Sequence, residues 1–440
     1  RVTTTGTFNV AVGDNALCAN TTASSNVAIG RDSLFANTTG ADNVAVGALS
    51  LDANTTASCN TAVGTSAMSA TTTGCRNVAV GAGALKTNTE GDQNVAVGRE
   101  ALGVATTADG NTAVGFDSLQ ANTTASFNTA VGRNSSFSTT TGCRNVSVGL
   151  NAAYTNTTGD CNIAVGTNAL YSNTTADFNV AMGAEALCTN TTGSANTAIG
   201  YIALDANTTG IQNVAIGSNA LTANTTASDN VSVGTASLLA NTTGATNTAV
   251  GKDSLRCNTT ASNNTALGYQ SLYSNTTGAQ NTAIGRYAGC AVTTGGNNTM
   301  LGNQAGTSSS PFTVTDATTN HRVVIGNNDV SNAYIKVAFT VTSDARDKTN
   351  FGTVPHGLDF VNKLEPISFQ FKTSREDDTP NGDVRYGFKA QDILALEGSD
   401  NVIIDDEQPD HLKYKGEHLI PVLVNAIKEL KKEIDQLKNK

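Results

Sequence analysis

Six consecutive residues, from Ser343 to Lys348, place a hydroxyl nucleophile five positions before an amine that could act as its base. The hexad reads Ser-Asp-Ala-Arg-Asp-Lys. A serine needs an adjacent base, and a lysine is one only if burial or a cationic neighbour lowers its pKa from about 10.4. Arg346 could be that neighbour, or it could orient Asp344. The alternative interpretation is a solvated charged turn, which the hexad alone favours.

A change of composition over residues 310–342 separates this hexad from the chain before it. Residues 343–440 contain 19 acidic and 14 basic residues, whereas residues 1–342 contain only 17 and 12, and all six prolines lie at 311 or later. The net charge is −10, and the first 300 residues contain no basic run. We therefore expect no nucleic-acid binding. No apolar run approaches the ~18 residues of a membrane span, so we expect no membrane insertion. No signal peptide is visible.

Most of the chain before residue 303 is a repeat. The pentad Asn-(Val/Thr/Ile)-Ala-(Val/Ile)-Gly, with a few variants, begins at Asn9 and recurs every 17 residues as far as Asn298, in 18 copies without a slip. The alternation predicts a strand, and the fixed Gly predicts a turn with positive φ. Leu or Met follows eight residues after the Asn in 14 copies, and the polar sequence Asn-Thr-Thr-(Gly/Ala) then predicts a second turn.

The alternation also predicts which side chains fill the core. The third residue after the Asn is always apolar, as in Val12 and Leu301, and we expect it to face the core. The second is Ala or Ser in every copy but the last, which has Met300, and we expect it on the opposite face, where a backbone or chain approaches closely. Ser136 and Ala153 replace the usual Leu and are each followed by an aromatic residue, which indicates local repacking.

One copy cannot fold alone, because ordering the chain costs about 1–2 kcal/mol per residue. Stacked rungs about 4.8 Å apart would form a rod on the order of 85 Å long, with apolar columns and ladders of Asn and Thr. Because this core is thin and rich in Ala, we expect oligomerisation to provide the missing burial. The predicted fold is mainly β: a parallel β-solenoid over 1–302 and a short β connector over 303–342, followed by an α+β domain over 343–440.

Three further blocks follow the hexad, namely Gly357 to Lys372, Tyr386 to Asp392, and Leu419 to Leu430. The last block opens a predicted helix of about 419–439, and Pro421 is tolerated near its start. Apolar residues at alternating spacings of three and four predict a coiled-coil seam. These are Ile420, Leu423, Ile427, Leu430, Ile434 and Leu437. Ile at one seam position and Leu at the other favours two strands by peptide rules.

The pentad rhythm of residues 9–302 resembles the head repeats of trimeric autotransporter adhesins, which form a parallel β-roll in each of three chains. The repeats also resemble those in fibres of marine phages and large algal viruses. The four blocks of residues 343–440 look like the intramolecular chaperone domain of endosialidase-type tail spikes. That resemblance implies a domain that trimerises, folds the β-structure before it, and is released by autoproteolysis.

The same resemblance assigns roles to individual residues. It implies that Ser343 is the catalytic nucleophile and Lys348 the base, with Asp344 and Arg346 in support. It implies a scissile bond between Thr342 and Ser343. Together with the other blocks, it favours the Ser-Lys pair over the solvated turn.

These observations predict a structural and adhesive viral tail-fibre protein, part of a phage virion, assembled in the host cytoplasm and then extracellular. Its expected partners are two further copies, other virion tail proteins, and a host-cell receptor or glycan; no cofactor or metal is expected. The alternative is a cellular trimeric adhesin with a permanently attached trimerisation cap. A glycan-cleaving enzyme would need convergent carboxylates, whereas Asp32, Asp52 and Asp117 are scattered through the repeat.

Two tempting features have plain explanations. Asn-Thr-Thr matches a glycosylation sequon, but its place in the repeat favours a turn in which Asn and Thr bond to local backbone. Cys59 and Cys75, like Cys143 and Cys161, lie at nearly the same phase on successive rungs. They could come within disulfide range or remain free small residues.

Overall fold

The computed structural model describes residues 5–316, 319–330, 333–334, 336, 343–372, 375, 377–398 and 401–439. The chain forms two compact units. The first comprises Arg1–Asn303 and Val314–Val323, and the second comprises Gln304–Thr313 and Val324–Lys440.

The first unit is a parallel β-solenoid, as the repeat predicts. Each copy contributes one strand of three residues, and each strand pairs in parallel with the next at a constant offset, as Val10 does with Val27. The strands are β1 (Val10–Val12), β2 (Val27–Ile29), β3 (Val44–Val46), β4 (Thr61–Val63), β5 (Val78–Val80), β6 (Val95–Val97), β7 (Thr112–Val114), β8 (Thr129–Val131), β9 (Val146–Val148), β10 (Ile163–Val165), β11 (Val180–Met182), β12 (Thr197–Ile199), β13 (Val214–Ile216), β14 (Val231–Val233), β15 (Thr248–Val250), β16 (Thr265–Leu267), β17 (Thr282–Ile284) and β18 (Thr299–Leu301). The ladder continues at Arg322, whose carbonyl accepts the Thr299 N–H at 2.8 Å, next to β19 (Val323–Ile325).

The predicted assignment of the two strand faces is wrong. The small second residue points into the core, where Ala28 and Ala45 are fully buried, whereas the bulky third residue stays partly exposed, at 39% for Ile29 and 36% for Val63. The large core residue is the Leu that follows eight positions after the Asn, such as Leu34. These Ala and Leu side chains form one cluster. The tube is too narrow for a second large residue opposite each Leu, so the strand contributes the small one.

The backbone adopts positive φ at fixed positions of each rung. The Gly after the strand has φ of +131° at Gly13 and +141° at Gly98, which confirms the prediction, and a Cβ on Gly98 would lie 2.2 Å from the carbonyl oxygen of Gly115. The core Leu also has positive φ, +47° at Leu34, where an L-residue is strained. Hydrogen bonds between rungs offset that strain: the Leu34 N–H donates to the Ser50 carbonyl at 3.0 Å.

Two buried columns of Asn hold the polar side of the tube together, as the predicted ladders require. The Nδ2 atoms of Asn26 and Asn37 both donate to the carbonyl of Gly40 at 2.9 Å. The Oδ1 of Asn26 accepts the Asn43 N–H of the next rung at 3.0 Å, and the Oδ1 of Asn37 accepts from Asn54 at 2.9 Å. The Asn of Asn-Thr-Thr is therefore a buried turn residue bonded to local backbone, and that prediction is confirmed.

The rungs that lack the core Leu are not repacked by their aromatic residues, contrary to the prediction. Ser136 and Ala153 still occupy the core position and are buried. The aromatic rings are half-buried and stack on one another instead, with centroids 5.1 Å apart for Phe137 and Tyr154 and 5.2 Å for Tyr154 and Tyr171. The core is thinner at these two rungs.

The second unit is a small α+β structure that ends in a helix. Its elements after β19 are α1 (Leu358–Asn362), β20 (Ile367–Lys372), β21 (Pro380–Gly387), α2 (Ala390–Glu397), β22 (Ile404–Asp405), β23 (Lys413–Tyr414) and α3 (Leu419–Lys438). Strands β20 and β21 pair antiparallel, as do β22 and β23. Its core consists of Phe360, Ile393, Ile403, Ile404, Leu419 and Val422. Among the helices of the described residues, none has the length and apolar character needed to cross a bilayer.

Candidate functional site

The hexad from Ser343 to Lys348 forms a short capped turn. Residues Ala345–Asp347 are a single 3₁₀ turn. Asp344 caps its start, where Oδ1 accepts the Arg346 N–H at 2.9 Å. The Lys348 N–H closes its end on the Ala345 carbonyl at 3.2 Å. This turn brings the first and last side chains of the hexad to the same place.

The structure brings the predicted nucleophile and base together. The Nζ of Lys348 lies 2.7 Å from the Oγ of Ser343, which is hydrogen-bonding distance. Both residues are exposed in the single chain. The pair therefore has the geometry for transfer of the hydroxyl proton to a neutral amine, while water still has access to it.

The two supporting residues form an ion pair of their own. The Nη2 of Arg346 lies 2.6 Å from the Oδ2 of Asp344, and its Nε also donates to that carboxylate. The Arg346 side chain, followed by its backbone N–H, lowers the pKa of Asp344, and the carboxylate in turn raises the pKa of Arg346. Arg346 is thus engaged with Asp344. Of the two roles considered from the sequence, this contact fits the one in which Arg346 orients Asp344.

Thr342, on the other side of the predicted scissile bond, lies outside the described residues. The structure defines the nucleophile side of that bond, from Ser343 onwards.

A buried carboxylate that the sequence did not single out lies in the domain that follows the hexad. Glu397, at the end of α2, accepts three backbone N–H groups, from Val402 at 2.8 Å, Ile403 at 2.6 Å and Ile404 at 3.0 Å. This cluster fixes the chain where it enters β22. The adjacent Gly398, with φ of +75°, is a local signal of a turn.

Helix α3 is anchored to the segment that leads into α1. The Oε2 of Glu429 accepts the Leu358 N–H at 2.6 Å, and the Nδ2 of Asn425 donates to the Val354 carbonyl at 3.1 Å. One face of α3 packs into the domain core through Leu419, which is 5% exposed.

The face of α3 next to this buried one carries the predicted seam. Its six apolar side chains are between 38% and 70% exposed in the single chain. They are Ile420, Leu423, Ile427, Leu430, Ile434 and Leu437. Such a continuous apolar stripe on a helix is typical of a surface that packs against other helices.

All eight cysteines are free thiols in this structure, those of the two candidate pairs included. Within the described part of the chain, no group of three or more His, Cys, Asp or Glu residues has an arrangement that could hold a metal ion.

Comparison with known families assigns the region around the hexad. Residues 343–402 match the Peptidase_S74 family, described as the chaperone of endosialidase. The match begins at Ser343 and ends before α3, so it includes three of the four blocks that carried the resemblance. No curated protein and no solved structure matches the chain significantly. The family match, together with the parallel β-solenoid, is consistent with an endosialidase-type tail-fibre protein.

Proposed function

We propose that this chain is a structural and adhesive tail-fibre protein of a virion, whose C-terminal domain assembles three chains and then cuts itself off. The observation that carries the proposal is the 2.7 Å contact between Lys348 and Ser343 at the first residue of the matched family. In this proposal residues 1–302 are the shaft, 303–342 the connector and 343–440 the chaperone. The shaft or connector would contact a host receptor or glycan, and other tail proteins would hold the fibre.

Two exposed apolar surfaces support a trimer, which the family also implies. The first is the column formed by the third residue of each pentad, which is 42% exposed at Met182 and 40% at Ile284. The second is the seam on α3. A column of large apolar side chains along a fibre is costly in water, and burying it against two further copies removes that cost.

The regularity of the shaft explains why it needs a chaperone. Every strand offers its neighbours the same register, so a shift by one whole rung preserves nearly all pairings, as Val10 could replace Val27 opposite Val44. Non-local β pairing is also slow. A C-terminal domain that first fixes the number and alignment of three chains removes this ambiguity before the shaft forms.

The chemistry of the cut follows from the positions of the two side chains. Lys348, in its neutral form, takes the proton of the Ser343 hydroxyl as Oγ attacks the carbonyl carbon of residue 342. The C–N bond then breaks, the nitrogen of Ser343 takes a proton and leaves as the new amino terminus, and an ester links residue 342 to Oγ. Water hydrolyses that ester, which gives a carboxylate on the shaft and restores the serine hydroxyl.

Assembly of the three chains would explain why cleavage follows trimer formation and does not precede it. A lysine is neutral only where its charged form is disfavoured, chiefly by burial, and Lys348 is exposed in the single chain. We propose that packing of the three chains covers the pair and activates it. Removal of the chaperone would then make assembly of the fibre kinetically hard to reverse, because the domain that aligned the three chains is no longer attached.

The chaperone role is tested by producing residues 1–342 beside the full chain carrying Ser343→Ala. We expect the full chain to be a soluble trimer by light scattering and residues 1–342 alone to aggregate or remain unassembled. If residues 1–342 alone give the same soluble trimer, the C-terminal domain is not a folding aid and the proposal fails.

A further inference from the structure

Residues on opposite sides of the predicted cut pair with each other inside the second unit. The side-chain amide of Gln408 engages the backbone of Thr313 in both directions: Nε2 donates to the Thr313 carbonyl at 2.9 Å, and Oε1 accepts its N–H at 3.4 Å. A primary amide that pairs with both backbone groups of one residue imitates one step of a β ladder. Thr313 lies before Ser343 in the chain, and Gln408 lies after it.

A second contact next to this pair joins the same two segments. The Nζ of Lys413, in β23, lies 4.2 Å from the centre of the Phe312 ring. Phe312 is only 9% exposed, so the ammonium covers an aromatic face that is largely removed from water, where a cation–π contact is most effective. Residues Gln304–Thr313 accordingly belong to the same compact unit as Val324–Lys440.

These contacts do not depend on the peptide bond before Ser343. A cut between residues 342 and 343 separates Thr313 and Phe312 from Gln408 and Lys413 covalently, yet leaves both contacts in place. Both partners on the chaperone side lie after residue 402, where the family match ends, so the contacts belong to this chain's own C-terminal segment.

We infer that residues 304–313 form a clasp that holds the chaperone domain on the fibre after the chain has been cut. Cleavage and release are then two separate steps, and release requires the Gln408 and Lys413 contacts to open. Three clasps act together in a trimer, so the domain dissociates more slowly than any single clasp would allow. The inference rests on the proposed function for its biological meaning, but the clasp itself can be tested without self-cleavage.

The test introduces the cut with an added protease in place of self-cleavage. The full chain carries Ser343→Ala, which blocks self-cleavage, and a site-specific protease sequence inserted between Ala333 and Tyr334, both exposed. After digestion, native size-exclusion chromatography shows whether the C-terminal fragment stays with the shaft fragment. We expect it to co-elute, and we expect the double variant Gln408→Ala, Lys413→Ala to release it at least tenfold faster.

Two further variants keep the result interpretable. Gln370→Ala, Lys389→Ala changes the same residue types elsewhere in the domain and should retain the fragment as the parent does. Phe312→Ala leaves the sequence of the C-terminal fragment unchanged and removes the same contact from the other side, so it should also accelerate release. The inference is overturned if the parent releases the fragment at once, if the clasp variants hold it as firmly as the parent, or if the control releases it equally fast. Failure of self-cleavage in the native chain would leave this result unaffected.

Discussion

Met300 occupies the space that Gly289 leaves free. A Cβ on Gly289 would lie 2.9 Å from the Sδ and Cε of Met300 and 3.0 Å from the Cδ2 of Leu272. Gly289 stands at the position of the usual core Leu, and Met300 at the position of the usual Ala. The last two rungs have therefore exchanged the large and the small core residue between them.

This exchange predicts strong coupling between the two positions. Met300→Ala should lower the free energy of unfolding by about 2–5 kcal/mol, because it leaves a cavity, and Gly289→Leu alone should clash with Met300. The double variant restores the regular Leu and Ala, and the φ of +60° at Gly289 is close to the +48° of Leu272, so a Leu fits the backbone. Urea denaturation of the four chains measures the coupling. Additive effects would show that the two side chains do not share this space.

A break in the Asn ladder predicts a stabilising substitution. Thr71 stands where most rungs have Asn, and the Oδ1 of Asn54 in the rung before it is buried without a hydrogen-bond partner. Thr71→Asn should supply that donor and raise the free energy of unfolding by about 1 kcal/mol. Asn37→Thr, which creates a new break, should lower it by a similar amount. If the urea midpoint of Thr71→Asn does not rise, the ladder contributes no net stability.

The repeat predicted the location and register of the solenoid strands because its period is constant, one Asn and one Gly mark each rung, and a Leu or Met marks most of them. It did not predict which strand face points inward. The constancy of the small residue, as at Ala28, is the usable signal, because only a tightly filled interior restricts volume so strictly. The positive φ of Leu34 has no sequence signal, since it is imposed by hydrogen bonds from neighbouring rungs.

The contact between Ser343 and Lys348 was predictable in part. A separation of five residues allows one turn of the chain to bring the two side chains together, and Asp344 is a favourable capping residue for such a turn. The exposure of the pair in the single chain was not predictable, because burial depends on the fold and not on the spacing of two residues. Glu397 was missed, since its partners are backbone groups that only the fold brings to it.

The Asp344–Arg346 pair predicts a pH dependence at the acidic end. The pKa of Asp344 is lowered, so the contribution of the pair is present above the ordinary carboxyl pKa of about 3.9 and is lost as the pH falls through the lower folded value. Titration of ¹³C-labelled aspartate by NMR should show a depressed pKa for the carboxyl assigned to Asp344. In Arg346→Ala it should return towards about 3.9; an unchanged pKa would mean that Arg346 does not hold the carboxylate in solution.

The exposed seam on α3 predicts a variant that cannot assemble. Ile427→Asp places a charge in the middle of the seam, where Ile427 is 66% exposed in the single chain, and should abolish the trimer in the Ser343→Ala background. Lys432→Asp, away from the seam, is the matched control and should remain trimeric. Light scattering gives the mass of each. A trimeric Ile427→Asp chain would show that the seam is not an assembly surface.

Self-cleavage at Ser343 is the central claim, and denaturing intact mass of the expressed full chain tests it most directly. We expect the wild type to give two fragments with masses of residues 1–342 and 343–440, whereas Ser343→Ala and Lys348→Arg stay whole, because arginine keeps its proton. A wild-type chain that stays whole although it is trimeric would contradict the claim. It would make residues 343–440 a permanent trimerisation cap, as in a cellular adhesin.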